Sequence, residues 1–167
     1  MTADFEAIHA QILPKVGEVH RQRLGRISAK EFQRFAYAIG DLNPHYVNGE
    51  SPHTTDFPPI VAPPLFLSGV MGWSPGPPEE ALRGDGTGLT ETAGLPLAGL
   101  RLMGAGQDLL LREVIVDNME IVVDVSVDDV ELKRGRTGTL LILHILRRYF
   151  DGEGREVLTC RESFIAR

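Results

Sequence analysis

Along the chain the spacing of apolar residues shifts from helical in the first half to strictly alternating in the second. A mixed stretch up to about Leu13, closed by Pro14, predicts a short helix, and residues 16–27 read as an irregular strand. Ser28 and Glu31 form a capping box ahead of Phe32, Phe35, Ala36 and Ile39, which recur at helical spacing, and Gly40 supplies the stop. Residues 28–39 are therefore predicted as an amphipathic helix, followed by a tight turn, Gly40-Asp41-Leu42-Asn43-Pro44-His45-Tyr46. Pro63 and Pro64 suit a first helical turn, and residues 65–71 behind them are apolar nearly all round, which predicts a buried helix. Residues 74–99, rich in glycine and proline and carrying Glu79, Glu80, Arg83 and Asp85, read as a functional flap or a disordered loop.

Beyond the flap the period becomes two. Residues 120–128 alternate, residues 140–146 are an apolar run suited to a central strand, and Asp151-Gly152 is a hairpin-type turn. The expectation is a meander of long antiparallel strands at 97–111, 119–133, 139–150 and 156–166. A wholly apolar helix beside such strands must be buried against their sheet, which gives an α+β domain with a curved antiparallel sheet wrapped around a central helix.

Composition adds bounds. With 167 residues, 43% hydrophobic and 24% charged, the chain suits one globular domain. A formal net charge of -6 without any basic run offers no footprint for a nucleic-acid backbone. No segment reaches the roughly 18 apolar residues of a membrane span, and Asp4 and Glu6 do not fit a secretory leader, so a soluble cytoplasmic protein is expected. Cys160 is the lone cysteine, cannot form an internal disulfide, and is read as a buried structural thiol.

The run from Ala38 to Tyr46 resembles the Gly-Asp-x-Asn-Pro signature of MaoC-like (R)-hydratases. Pro59-Ile60-Val61-Ala62-Pro63-Pro64-Leu65-Phe66 is similar to the Ala-Pro-Pro start of the central helix in the FAS1-like, HTD2-like dehydratase branch of that superfamily. Residues 100–108, Leu-Arg-Leu-Met-Gly-Ala-Gly-Gln-Asp, look like the first long strand after the flap in the same branch. The resemblance spans residues 27–167 and implies a single hot-dog fold. It also implies hydration of a 2-enoyl thioester, or dehydration of a 3-hydroxyacyl thioester, carried on coenzyme A or acyl carrier protein, with no metal and no nicotinamide. That chemistry uses a carboxylate and an imidazole around one water, plus a backbone amide that polarises the thioester carbonyl. Asp41 matches the carboxylate, Asn43 and Pro44 match the turn that aims it, and Ala62, Pro63, Ser68 and Gly106 fall at substrate-side positions.

Two positions depart from the active pattern. The histidine expected five residues after Asp41 is Tyr46, with His45 one place early, and the glycine expected to donate the amide is Pro63, which has no amide hydrogen. General acid-base help contributes roughly 10²–10⁴-fold. One oxyanion donor contributes roughly 10²–10³-fold. The same departures resemble the substrate-binding half of split MaoC-like enzymes, whose second hot-dog domain carries the dyad. The expected partner is such a subunit or a second copy of this chain. The alternatives are an autonomous homodimeric dehydratase using Asp41 and His45, with Tyr46 at the water site, or a non-catalytic acyl-CoA binding module. A thioesterase is disfavoured because residues 61–71 hold no acid.

Plainer readings stand beside these. Asp41 and Asn43 also suit a cap and a turn, His45 a solvent-facing turn, and Ser68 helix contacts. A phenol with an ordinary pKa near 10 makes Tyr46 a weak base. His53 reads as part of a substrate-side loop and His144 as a satisfied sheet residue, and the five histidines show no metal-ligand spacing, so no metal site is expected. Arg134, Arg136, Arg147 and Arg148 read as solvated charge, with capture of a coenzyme A phosphate as the alternative.

Overall fold

The computed structural model describes residues 4–48, 60–69, 78–82, 84, 86, 88, 92, 94–97, 99–136 and 138–167. The predicted position of His53, like those of Arg83 and Asp85, lies outside these residues.

Helix α1 (Phe5–Ile12) begins where the Asp4 side chain accepts a hydrogen bond from the Ala7 amide at 3.0 Å. Strand β1 (Val19–Arg26) leads to α2 (Ala29–Ile39). At the start of α2 the Ser28 amide donates to Glu31 Oε2 at 2.7 Å, and at its end Gly40 adopts φ 75°, a conformation that suits glycine. Two four-residue helices follow, α3 (Pro44–Val47) and α4 (Phe66–Gly69). Strands β2 (Leu102–Leu111), β3 (Glu120–Gly135), β4 (Gly138–Phe150) and β5 (Glu156–Ala166) complete one antiparallel sheet.

The strand order is β1-β3-β4-β5-β2. Strands β3, β4 and β5 form the expected meander, but β2 does not precede β3 in the sheet. Strand β1 already occupies that edge of β3, with Val19 opposite Ser126, so β2 crosses over and pairs with β5 instead. It also begins at residue 102 rather than 97. Leu95, Leu97 and Leu100 turn inward and are 5% exposed or less, so the end of the glycine-rich stretch packs into the core. In α4, Phe66, Leu67 and Ser68 are buried as predicted, whereas Leu65 is 43% exposed. Leu65 lies ahead of the helical turn, beside the exposed Pro64, and so escapes the sheet that covers the three residues after it.

The concave face holds two apolar clusters. One gathers Phe32 of α2 and Phe66 and Leu67 of α4 over Val123, Tyr149, Leu158 and Cys160. Phe66 anchors it, meeting the Phe32 and Phe35 rings edge-on at 4.9 and 5.6 Å. The other gathers Ile12, Leu95, Leu97 and Leu100 over Val127, Leu143, Ile145 and Ala166. Inward positions on β4 run Leu141, Leu143, Ile145, Arg147, Tyr149, all buried. Arg147 is therefore not solvated charge. It lies inside β4, at the seam between the clusters, and forms an ion pair with Glu162 of β5. Arg134, Arg136 and Arg148 are exposed as expected.

Candidate functional site

The turn after α2 is built from short polar side chains that bond to nearby backbone. Asp41 Oδ1 accepts from the Asn43 amide at 3.2 Å, and Asn43 Oδ1 accepts from the His45 amide at 3.0 Å. Asn43 thereby caps α3, with Pro44 in its first turn. Asp41 and Asn43 are exposed, while His45 and Tyr46 are partly buried one turn further in. Burial first, and the negative charge of Asp41 second, push the Tyr46 phenol above its ordinary pKa. Tyr46 therefore stays protonated at neutral pH and can donate a hydrogen bond there, but it cannot serve as a base.

The helix start lies against this turn. The Val61 amide donates to the His45 carbonyl at 3.0 Å, and the Ala62 amide donates to the Ile115 carbonyl at 2.9 Å. Pro63 is buried, Pro64 is exposed, and neither has an amide hydrogen. Residues 61–64 thus present two amides already committed and two positions with none. A cavity of about 440 Å³ opens beside them, lined by His45, Tyr46, Val61, Ala62, Pro64 and residues 111–115.

Ser68 and Gly106 lie elsewhere. They share a second cavity of about 360 Å³, whose other walls are Gly69, Gly104, Gln107 and residues 162–164. Ser68 Oγ donates to the carbonyl of Leu65, just ahead of the helix, at 3.3 Å, which keeps the buried hydroxyl satisfied locally. Gly106 has φ 118° and follows a break in register between β2 and β5. The predicted residues therefore separate into a set at the helix start (His45, Tyr46, Ala62, with Pro63 beneath and Asp41 and Asn43 on the turn) and a pair near the helix end.

Sequence reasoning missed the Arg112–Ile115 wall of the first cavity and the Gln107, Arg147 and Glu162 group at the second. For Arg147 the signal was present, since period-two parity from Leu141 and Ile145 turns it inward. On the outer face, strand pairing brings Asp129, Glu131 and His144 together, with one ligand-type atom from each within 4.8 Å. Glu131 also holds Lys133, and His144 Nδ1 lies 2.9 Å from Ser163 Oγ, the satisfied sheet position expected of it.

A curved antiparallel sheet closed over a short buried helix, with an acidic turn set against the helix start, defines a hot-dog domain of the MaoC-like hydratase and dehydratase class. Residues 15–160 match the model of the FAS1-like, dehydratase domain region, and the chain belongs to that family. No curated protein matches the chain. Among solved structures it is similar to the ChsH1–ChsH2 complex from Mycobacterium tuberculosis, at 17% identity over 97% of this chain and 90% of that one, with a TM-score of 0.67. It is also similar to a MaoC-like dehydratase from Rhodospirillum rubrum, at 20% identity over 90% of each chain and a TM-score of 0.60. The HadBC 3R-hydroxyacyl-ACP dehydratase complex from Mycobacterium tuberculosis gives 12% identity, 90% and 96% coverage, and a TM-score of 0.65. At these identities the structural likenesses establish the fold.

Proposed function

We propose that this chain is the acyl-binding half of a heteromeric enoyl-thioester hydratase, acting in reverse as a 3-hydroxyacyl-thioester dehydratase, whose second hot-dog subunit carries the complete dyad. The observation that carries this reading is the helix start. Hydration places a water oxygen on the β-carbon and a proton on the α-carbon, so negative charge gathers on the thioester oxygen and needs a donor aimed at it. Residues 61–64 have no amide free for that purpose. Tyr46, in the histidine's place, is held neutral and cannot take a proton from water. Asp41 keeps its place on the turn but has no base beside it at the family's spacing. The ChsH1–ChsH2 and HadBC complexes, to which this chain is similar, join different subunits, which supports a heteromer here. The substrate carrier is coenzyme A or acyl carrier protein, and the chemistry calls for no metal or redox cofactor.

A second reading has its own support, because His45 lines the first cavity and a homodimer could pair it with Asp41. One assay separates the two. Crotonyl-CoA and a bulkier enoyl-CoA are followed at the enoyl absorbance with the chain alone and with a coexpressed MaoC-like subunit that carries the full dyad. Hydration that appears only with the partner is expected. Full activity from the chain alone, abolished by Asp41→Asn, would overturn the heteromer in favour of the homodimer, and no hydration in either arm would leave acyl-thioester binding as the chain's whole role.

A further inference from the structure

The seam between the two apolar clusters carries a polar group for which stability gives no reason. Arg147 and Glu162 are inward-facing diagonal neighbours on β4 and β5, with side chains only 8% and 12% exposed. Apart from Arg147, no donor among the described residues reaches Glu162 Oε2. Taking such a pair out of water costs several kcal/mol per ion, and a well-packed apolar pair of similar volume is often as stable or more so. The flanking inward positions, Ile145, Tyr149, Cys160 and Phe164, show that the sheet readily stacks hydrocarbon and aromatic groups here.

The pair borders space. Glu162 lines the second cavity, and Gln107 sits opposite it across the β2–β5 ladder, its Oε1 accepting from the Cys160 thiol at 3.6 Å. Ser68 lines the same cavity from α4. The space exists because side chains are missing from its walls. A Cβ built on Gly104 or Gly106 meets nothing within 4 Å. Hydrocarbon entering such a groove would strip water from Gln107 and the Glu162 edge and give nothing back, at the cost of unpaired polar groups.

We propose that this groove seats the far end of the acyl group and selects a chain carrying a hydrogen-bonding substituent, a hydroxyl, oxo or amide, over an unsubstituted alkyl chain, with Gln107 and Glu162 as the specificity-determining residues. The proposal rests on the acyl-thioester reading above and adds to it the class of acyl group. Gln107 can both donate and accept through its amide, and Glu162 accepts from a hydroxyl while Arg147 balances its charge.

Calorimetry on the full chain, in the assembly in which it purifies, tests this with saturated ligands that cannot turn over. The probes are hexanoyl-, octanoyl- and decanoyl-CoA, their ω-hydroxy counterparts, and coenzyme A alone. At one chain length or more, the hydroxylated ligand should bind about tenfold more tightly than the plain one, and Gln107→Leu should cut that preference to about threefold or less. Gly104→Leu projects into open space on a backbone that tolerates a side chain. It should therefore fold normally and weaken acyl ligands of both kinds while leaving coenzyme A unchanged. Plain chains binding as tightly as hydroxylated ones at every length would overturn the proposal and leave the acyl-thioester reading standing. If no acyl-CoA of either series binds more tightly than coenzyme A, both fall.

Discussion

The two ends of α4 depart from the expected hydratase in opposite ways. At its start the sequence keeps the shape of the motif, from the Asp41–Asn43 turn to the buried Pro63, but carries Tyr46 and Pro63 where the motif has a histidine and a glycine. At its end the polar chemistry is in excess, with Ser68, Gln107, Glu162 and Arg147 gathered where apolar residues would serve the fold as well. The difference teaches that the geometry of a motif and the identity of its reactive side chains are set by different bonds and can vary separately. Asx turns and proline-started helices hold their form through backbone bonds, and they survive when the reacting side chains change.

The sharpest way to break this contrast is to restore the start. Tyr46→His together with Pro63→Gly places an imidazole five residues after Asp41 and an amide hydrogen at the helix start. If the site lacks only these groups, the chain alone should hydrate crotonyl-CoA at least about 10²-fold faster than the unmodified chain, since each group contributes that much or more. The enoyl absorbance reads the result. An inert but folded double variant would mean that the site lacks more than these two groups.

How much of this was legible in the sequence depends on whether local patterns or long-range pairing decided it. The capping box at Ser28 and Glu31, the turn at residues 40–46 and the alternation of β3 to β5 are local, and the structure shows them where the periodicity puts them. The position of β2 was not local. It follows from β1 occupying one edge of β3, a pairing across about a hundred residues that no window of sequence contains. Nor was the split of the site. Ser68 follows Ala62 by six residues, yet the half-turns between them carry it to a different cavity, beside strands that enter the chain much later.

The polar end can be tested through stability. Arg147→Ala leaves the Glu162 carboxylate buried without its partner and should cost about 3–5 kcal/mol in urea unfolding. Replacing both, Arg147→Met with Glu162→Leu, should return stability to within about 1 kcal/mol of the unmodified chain or above it. That outcome would confirm that the pair is dispensable to the fold. If the double replacement were as damaging as Arg147→Ala, the pair would be structural, and the two ends of α4 would no longer differ in kind.

The smallest effect concerns what holds the wall of the first cavity in place. Arg112, on that wall, donates to Glu156 Oε1 at 2.8 Å, and the same carboxylate also takes Arg148 and the Thr159 hydroxyl. The Thr159 hydrogen bond foremost, with help from the two arginines, depresses the Glu156 pKa to about 2. Because the folded value lies below the unfolded one, Glu156 contributes stability that is present above about pH 4.5 and is lost as the pH falls toward 2. Both arginines are about half exposed, so solvent screens their part, and the effect at pH 7 should be about 1 kcal/mol. Glu156→Gln should therefore lower the urea midpoint modestly at pH 7 and match the unmodified chain near pH 2. The helix start should feel it only through Arg112, as weaker protection of the Ala62 amide, which bonds to Ile115 on that wall, in hydrogen exchange. Equal loss at both pH values would show that the carboxylate acts through its shape rather than its charge.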